Sequence, residues 1–316
     1  MMVLRKLIMI IFLVHVIHIG NLLNSTWAES YSQQKLDANR VPWTHLSYQA
    51  KNFWVDVTTK VLMESMPAET VKAALIKNLQ GDAVQVPSTG SYKITANTIL
   101  DSIFQPPVKI DNQVWFDPKD ATALGRIRLR KGEDDFKKVY RFTKQGVFRH
   151  RREPKNKQEI QLETDKWTDA IDTFYPYNLD QLGCPNVSER LLLIYITLAA
   201  EITENKSPLD FCIFGKRQLF RVRLQPEGSH LVKTNFILKK QNAEHIKKGE
   251  TRALKLALET WPLDSNLKKV ENFSFLGFHK NIAFFIDPVT NLPIQISGEI
   301  PTVGEATLNL NEVHLK

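Results

Sequence analysis

The clearest signal in the chain is alternation. Tyr92, Ile94 and Ala96 alternate with Lys93, Thr95 and Asn97, and near the end Ala306, Leu308 and Leu310 alternate with Thr307, Asn309 and Asn311. A period of two puts apolar side chains on one face of an extended strand and polar ones on the other. The run Phe53 to Val61 is rich in aromatic and β-branched residues and reads as a strand. Arg126, Arg128 and Arg130 share one face of a further strand, with Ile127 and Leu129 on the other. Residues 136–142 and 146–152 read as two more strands, joined by a turn. After Pro208 the pattern predicts strands near 210–214, 217–224, 229–239, 250–259, 273–278 and 281–286, then a last run over 293–313.

Two segments break the β pattern. Residues 67–80 are helix-like, with Pro67 at a first helical position and Gly81 as a stop. Residues 186–200 open with Ser188 as an N-cap and carry a long run of apolar or small residues, which predicts a helix buried all round. Many short strands separated by turns, with one or two helices, predict a mainly β, antiparallel architecture: a curved sheet, a half-barrel or a sandwich. No repeat of fixed period and no Pro-, Gly- or Ser-rich linker divides residues 46–316, so they are expected to form a single domain behind a polar leader over 29–45.

The N-terminus departs from this pattern. Arg5 and Lys6 precede an apolar run from Leu7 to Ile19, and Thr26-Trp27-Ala28 places small residues at the positions a signal peptidase reads. The expectation is a signal peptide over 1–28, cut after Ala28, and a periplasmic or secreted protein with no membrane span afterwards. The whole chain has 42 Lys and Arg against 34 Asp and Glu, a formal charge of +8, and loss of the first 28 residues leaves about +6. That mild balance allows contact with anionic lipid or glycan and is far below the charge density of a nucleic-acid binder. In an oxidising compartment Cys184 and Cys212 either close a loop across the helical segment or stay as two buried thiols.

Signatures of catalysis are missing. There is no glycine-rich phosphate loop, no G-x-S-x-G elbow and no H-E-x-x-H. The histidines at 45, 150, 230, 245, 279 and 314 are scattered singly, so no metal site and no cofactor is expected. Two features remain. The first is basic: Arg126, Arg128 and Arg130, a second stripe at Arg221 and Arg223, and Arg149, Arg151 and Arg152. If their strands are neighbours they build an anion-binding patch; otherwise they are the solvent face of a sheet. The second is the set of aromatics at Phe53, Trp54, Trp115, Phe116, Phe273, Phe275, Phe278, Phe284 and Phe285. These either fill the core or line a concavity able to hold an acyl chain.

The stretch Asp287-Pro288-Val289-Thr290-Asn291-Leu292-Pro293-Ile294 resembles the closing signature of an exported bacterial family called domain of unknown function 3108. Gly215-Lys216-Arg217, Lys138 to Phe142 ahead of Gly146-Val147, and Asp172 to Tyr175 are similar in the same order, over roughly residues 50–316. The resemblance implies a periplasmic protein with a curved antiparallel sheet like that of lipoprotein carriers, and it implies no catalytic residue. The resulting expectation is a non-enzymatic protein binding an amphipathic or anionic envelope ligand: lipid, lipoprotein or glycan. The alternatives are a scaffold that contacts an envelope protein and, last, a hydrolase of envelope polymers.

Overall fold

The computed structural model describes residues 35–316 apart from 52–54, 78–79, 103–104, 242, 264–270 and 302. The expected signal peptide and cleavage site, and Phe53 and Trp54, lie outside the described residues. The described residues belong to one compact unit, Gln34–Lys316.

Among the described residues fifteen strands form one sheet. They are β1 (Trp43–Lys51), β2 (Val55–Met66), β3 (Ser91–Ser102), β4 (Gln105–Phe116), β5 (Ala123–Lys131), β6 (Phe136–Phe142), β7 (Gly146–Glu153), β8 (Asp169–Pro176), β9 (Ser188–Glu189), β10 (Leu209–Phe214), β11 (Leu219–Lys240), β12 (Ala243–Pro262), β13 (Lys280–Asp287), β14 (Leu292–Ile300) and β15 (Gly304–Leu315). The order across the sheet is β8-β7-β6-β5-β4-β3-β2-β1-β15-β14-β13-β12-β11-β10-β9. Neighbours are antiparallel except β9 and β10. A short parallel pairing of β11 with β15 closes β11 through β15 into a ring. The architecture is therefore the mainly β, curved antiparallel sheet the alternation predicts.

The curl brings the two ends of the sheet face to face. Phe214 of β10 lies 5.8 Å from the Tyr175 ring of β8 and 6.0 Å from the Phe142 ring of β6, centroid to centroid. Between the walls runs helix α4 (Leu193–Ala199), entered by a 3₁₀ turn over Arg190–Leu192. Every residue of α4 is buried. A helix enclosed on all sides must have its end groups satisfied by protein. The backbone N–H of Asp37 donates to the Ala199 carbonyl at 3.0 Å, and the Asn291 side chain donates to the Leu198 carbonyl at 3.3 Å. Asn291 sits in the left-handed region at φ 52° and follows Asp287, whose carboxylate accepts from Lys247, Thr290 and the Val289 N–H. The Asp287–Ile294 motif is thus the β13–β14 turn that caps the central helix.

Three further short helices occur among the described residues: α1 (Ala68–Ala74), α2 (Lys157–Ile160) and α3 (Leu179–Leu182). Helix α1 covers part of the outer face of β4 and β5, where Val71, Trp115 and Leu124 form a second core with Ile127 at its edge. A Cβ on Gly125 would meet the end of the Leu75 side chain at 2.3 Å, so the Leu75 methyl packs where a larger residue would place its β-carbon.

Several boundaries differ from those the sequence predicts. The folded unit begins before residue 46: Leu36, Val41 and Trp43 are buried, and β1 starts at Trp43. Helix α1 stops at Ala74, and Pro67 is its N-cap rather than its first residue. Ser188 does not cap the buried helix but pairs with Ile213 as part of β9, and the Glu189 carboxylate accepts from Leu191 N–H instead. Residues 273–278 are not a strand; Phe275 and Phe278 bracket a tight turn. The run 293–313 is two strands, and β11 is one continuous strand through an irregularity between Pro226 and Ser229. Among the described residues no helix is long and apolar enough to cross a membrane.

Candidate functional site

The arginine stripe of β5 faces inward. Ile127 points to the outer face beneath α1, so alternation turns Arg126 and Arg128 into the concavity. Sequence alone makes such a stripe either a binding patch or a solvent face. Here it is a wall of an interior cavity, because both faces of this part of the sheet are covered.

Arg126 is almost completely buried and ion-paired with Glu189 at 2.7 Å, and its Nε donates to Asn112 at 2.8 Å. Glu189 comes from β9, at the far edge of the sheet, so this pair ties the two ends of the curl together. Arg190, next in the chain, lies 3.6 Å from the same carboxylate and donates to the Ser274 hydroxyl at 2.7 Å and carbonyl at 3.1 Å. That hydrogen bond holds the turn at Leu276 and Gly277, both with positive φ, over the cavity. Arg128 is different. Among the described residues it has no carboxylate partner, and its guanidinium lies over the Phe136 ring at 5.5 Å. Burial, then the Arg190 and Arg126 charges, pull Arg128 down to about 9. Burial and Arg126 pull Arg190 down to about 10.

These three guanidiniums share a cavity of about 270 Å³ with one carboxylate, Glu189, beside it. The rest of the wall is mostly apolar, with Ala50, Val57, Leu100, Ile110, Phe275 and Leu308, and carries the polar side chains of Thr98, Asn112, Ser274 and His279. The cationic face continues across the sheet. Arg128 pairs in register with Lys138 on β6, and Lys138 with Arg151 on β7. Burial and the Arg128, Arg151 and Arg149 charges pull Lys138 down to about 7, against Glu153. Cations crowded in this way are each raised in energy until an anion arrives.

The other expected site residues fall elsewhere. Arg130 is at the rim, with Glu133 at 3.3 Å and Asp134 at 3.9 Å. Arg221 and Arg223 lie on β11, which is not a neighbour of β5, so the two stripes do not form one patch through the sheet. Arg223 is held by both Asp210 oxygens at 2.8 and 2.9 Å and lies over the Trp261 ring, which makes it a structural pair. Cys184 and Cys212 are joined as a disulfide. Trp115, Phe116, Phe273 and Phe284 are core residues, while Phe275 and Phe278 are buried and also border the cavity. Sequence reasoning misses Glu189 and Arg190, which stand beside the hydrophobic run and inside the span 186–200 it predicts as a helix. The adjacent acid and base ahead of an apolar run was the available signal.

No family model matches the chain, and no curated protein does. Among solved structures, the chain is similar to a beta-barrel-like protein of domain of unknown function DUF1849 from Brucella abortus. The identity is 8% and the TM-score 0.38, with 86% of this chain and 96% of that chain covered.

Proposed function

We propose that this protein binds a single-chain anionic amphiphile, with the tail in the apolar cavity and the head group against Arg128 and Arg190. The observation that carries the reading is Arg128, without a carboxylate partner among the described residues, beside Arg126 and Arg190 on the wall of a mostly apolar cavity. Planar guanidiniums recognise carboxylate, phosphate or sulfonate oxygens through paired hydrogen bonds, and gain more where water is scarce. The cavity lies just under the range of roughly 300–1,000 Å³ usual for small-molecule sites, which favours one acyl chain over the several chains of a lipoprotein anchor. The protein acts by holding its ligand, not by transforming it. The Cys184–Cys212 disulfide supports an oxidising, extracytoplasmic setting.

The test is a head-group comparison at constant tail. Delipidated protein is titrated below the micellar range with decanesulfonate and with decyl maltoside. The sulfonate is expected to bind at least about tenfold more tightly, one charge-assisted contact being enough for that ratio. Equal affinities, or no saturable binding of either, would remove the cavity as a site for anions.

A further inference from the structure

The C-terminal strand carries a second constellation, unrelated to the cavity. From Gly304 to Asn309, β15 pairs with β14 on one edge and then leaves it to lie beside β11, where Glu312 to His314 pair with Ile237 to Lys239. On its other edge it pairs with β1. There the register slips, Tyr48 opposing Leu310 and Ser47 opposing Glu312, so that Asn311 is the extra residue of a bulge. A bulge reverses which face the following side chains take. Leu308 and Leu310 are buried before it and Val313 after it, so Glu312 and His314 emerge together on the side away from the core. His45 of β1 is the register partner of His314, and the two rings lie 4.8 Å apart.

Three side chains from strands far apart in sequence therefore converge. The ligating atoms of His45, Glu312 and His314 all lie within 4.8 Å of one another, and His314 Nε2 is 2.8 Å from Glu312 Oε1. The other Glu312 oxygen accepts from Lys239 Nζ at 2.9 Å, which fixes the carboxylate and leaves Oε1 turned to the histidines. Among the described residues the Nε2 of His45 is buried and has no hydrogen-bond partner, a state that buried polar atoms in folded proteins seldom keep.

We propose that His45, Glu312 and His314 form a site for a divalent transition metal ion of the zinc class. Two imidazoles and one carboxylate are ligands that suit zinc, with a fourth position left for water. Metal–ligand bonds of about 2.0–2.1 Å in a tetrahedron require ligand atoms about 3.3 Å apart, which side-chain rotation reaches from the present spacing without moving the strands. Lys239 serves as the outer partner that orients the carboxylate. On binding, the metal takes the place of the His314–Glu312 hydrogen bond. The ion joins β1 to β15 where β15 exchanges one neighbour for another.

The experiment uses the purified full chain, freed of metal with chelator. Zinc binding is read by competition with a chromogenic chelator, and the chain is expected to take up one ion. The variants His45→Gln and His314→Gln are each expected to weaken zinc at least about tenfold, with His245→Gln unchanged. Zinc is expected to raise the melting temperature of the unaltered protein and not of His314→Gln. Because a strand variant can fail to fold, the unaltered protein is also titrated with Co²⁺, whose visible absorption reports nitrogen coordination. A single Co²⁺ with an intense tetrahedral band, displaced by zinc, supports the site. Absence of that band, or equal zinc affinity in the unaltered protein and in folded His45→Gln and His314→Gln, overturns it.

Discussion

Replacing Arg128 with Met separates the cost of the cationic wall from its use. Arg128 is held down to about 9, well below the ordinary arginine value, by burial first and by Arg190 and Arg126 next. At neutral pH, below that value, the side chain is charged in the folded protein and the whole cost of charging it is present. Each pH unit corresponds to about 1.4 kcal/mol, so the full displacement amounts to about 5 kcal/mol. Protein surrounds the guanidinium, yet part of its surface opens on the cavity, where water screens it; about 1–3 kcal/mol is the expected remainder. Met has similar length and no charge, and its thioether suits a cavity lined by aliphatic groups. Arg128→Met should therefore melt about 2–6 °C higher than the unaltered protein when both are free of ligand. The same variant should bind decanesulfonate about 10- to 100-fold more weakly, the worth of one charge-assisted contact. Arg126→Met supplies the contrast. It leaves Glu189 buried without its closest partner and should destabilise by about 3–5 kcal/mol. The assay is thermal unfolding of delipidated protein beside a ligand titration. If Arg128→Met and Arg126→Met destabilise alike, or if Arg128→Met keeps full affinity for the sulfonate, the reasoning fails.

Two further outcomes follow from the same chemistry. Lys138, held down to about 7 by burial and three arginines, is largely uncharged above that pH in the free protein. An anion beside Arg128 raises its pKa, so binding takes up a proton, and sulfonate affinity should fall as pH rises above about 7, by up to tenfold per unit. The charging cost of Lys138 is fully present below that value and fades as pH rises toward the ordinary lysine range. Lys138→Met should flatten the affinity profile, and a profile already flat between about pH 6 and 9 in the unaltered protein would contradict this account. The Cys184–Cys212 bridge closes a loop with a sequence separation of 28, and its removal by Cys212→Ala should cost about 3–4 kcal/mol in denaturant unfolding. Two free thiols in the denatured, unreduced native chain would contradict the bridge itself.

Much of the fold is legible in the alternation of side chains. The strands at 92–96, 126–130 and 306–310 lie where the period of two puts them, because each has one face against a core. What alternation does not carry is which face looks inward. The Arg126–Arg130 stripe is visible in the sequence; that α1 covers Ile127 on the outside and leaves the arginines inside depends on Val71 and Leu75, which lie far from β5 in the chain. The same limit hid Glu189. Its partner Arg126 belongs to a strand on the opposite flank of the sheet, and only the curl brings them together. The histidines show it most plainly. His45 and His314 stand near opposite ends of the sequence and look solitary there, yet they are register partners in adjacent strands. The bulge at Asn311 shows in the sequence only as a slip of the apolar alternation from Leu310 to Val313, which does not say which side chains meet across the strands.

Native mass spectrometry of the protein purified without detergent tests the central claim most directly. The account predicts a stoichiometric added mass that leaves on denaturation and corresponds to one anionic single-chain lipid, absent from Arg128→Met. A bare polypeptide mass that also stays bare after incubation with decanesulfonate would contradict it and turn attention to a scaffold role.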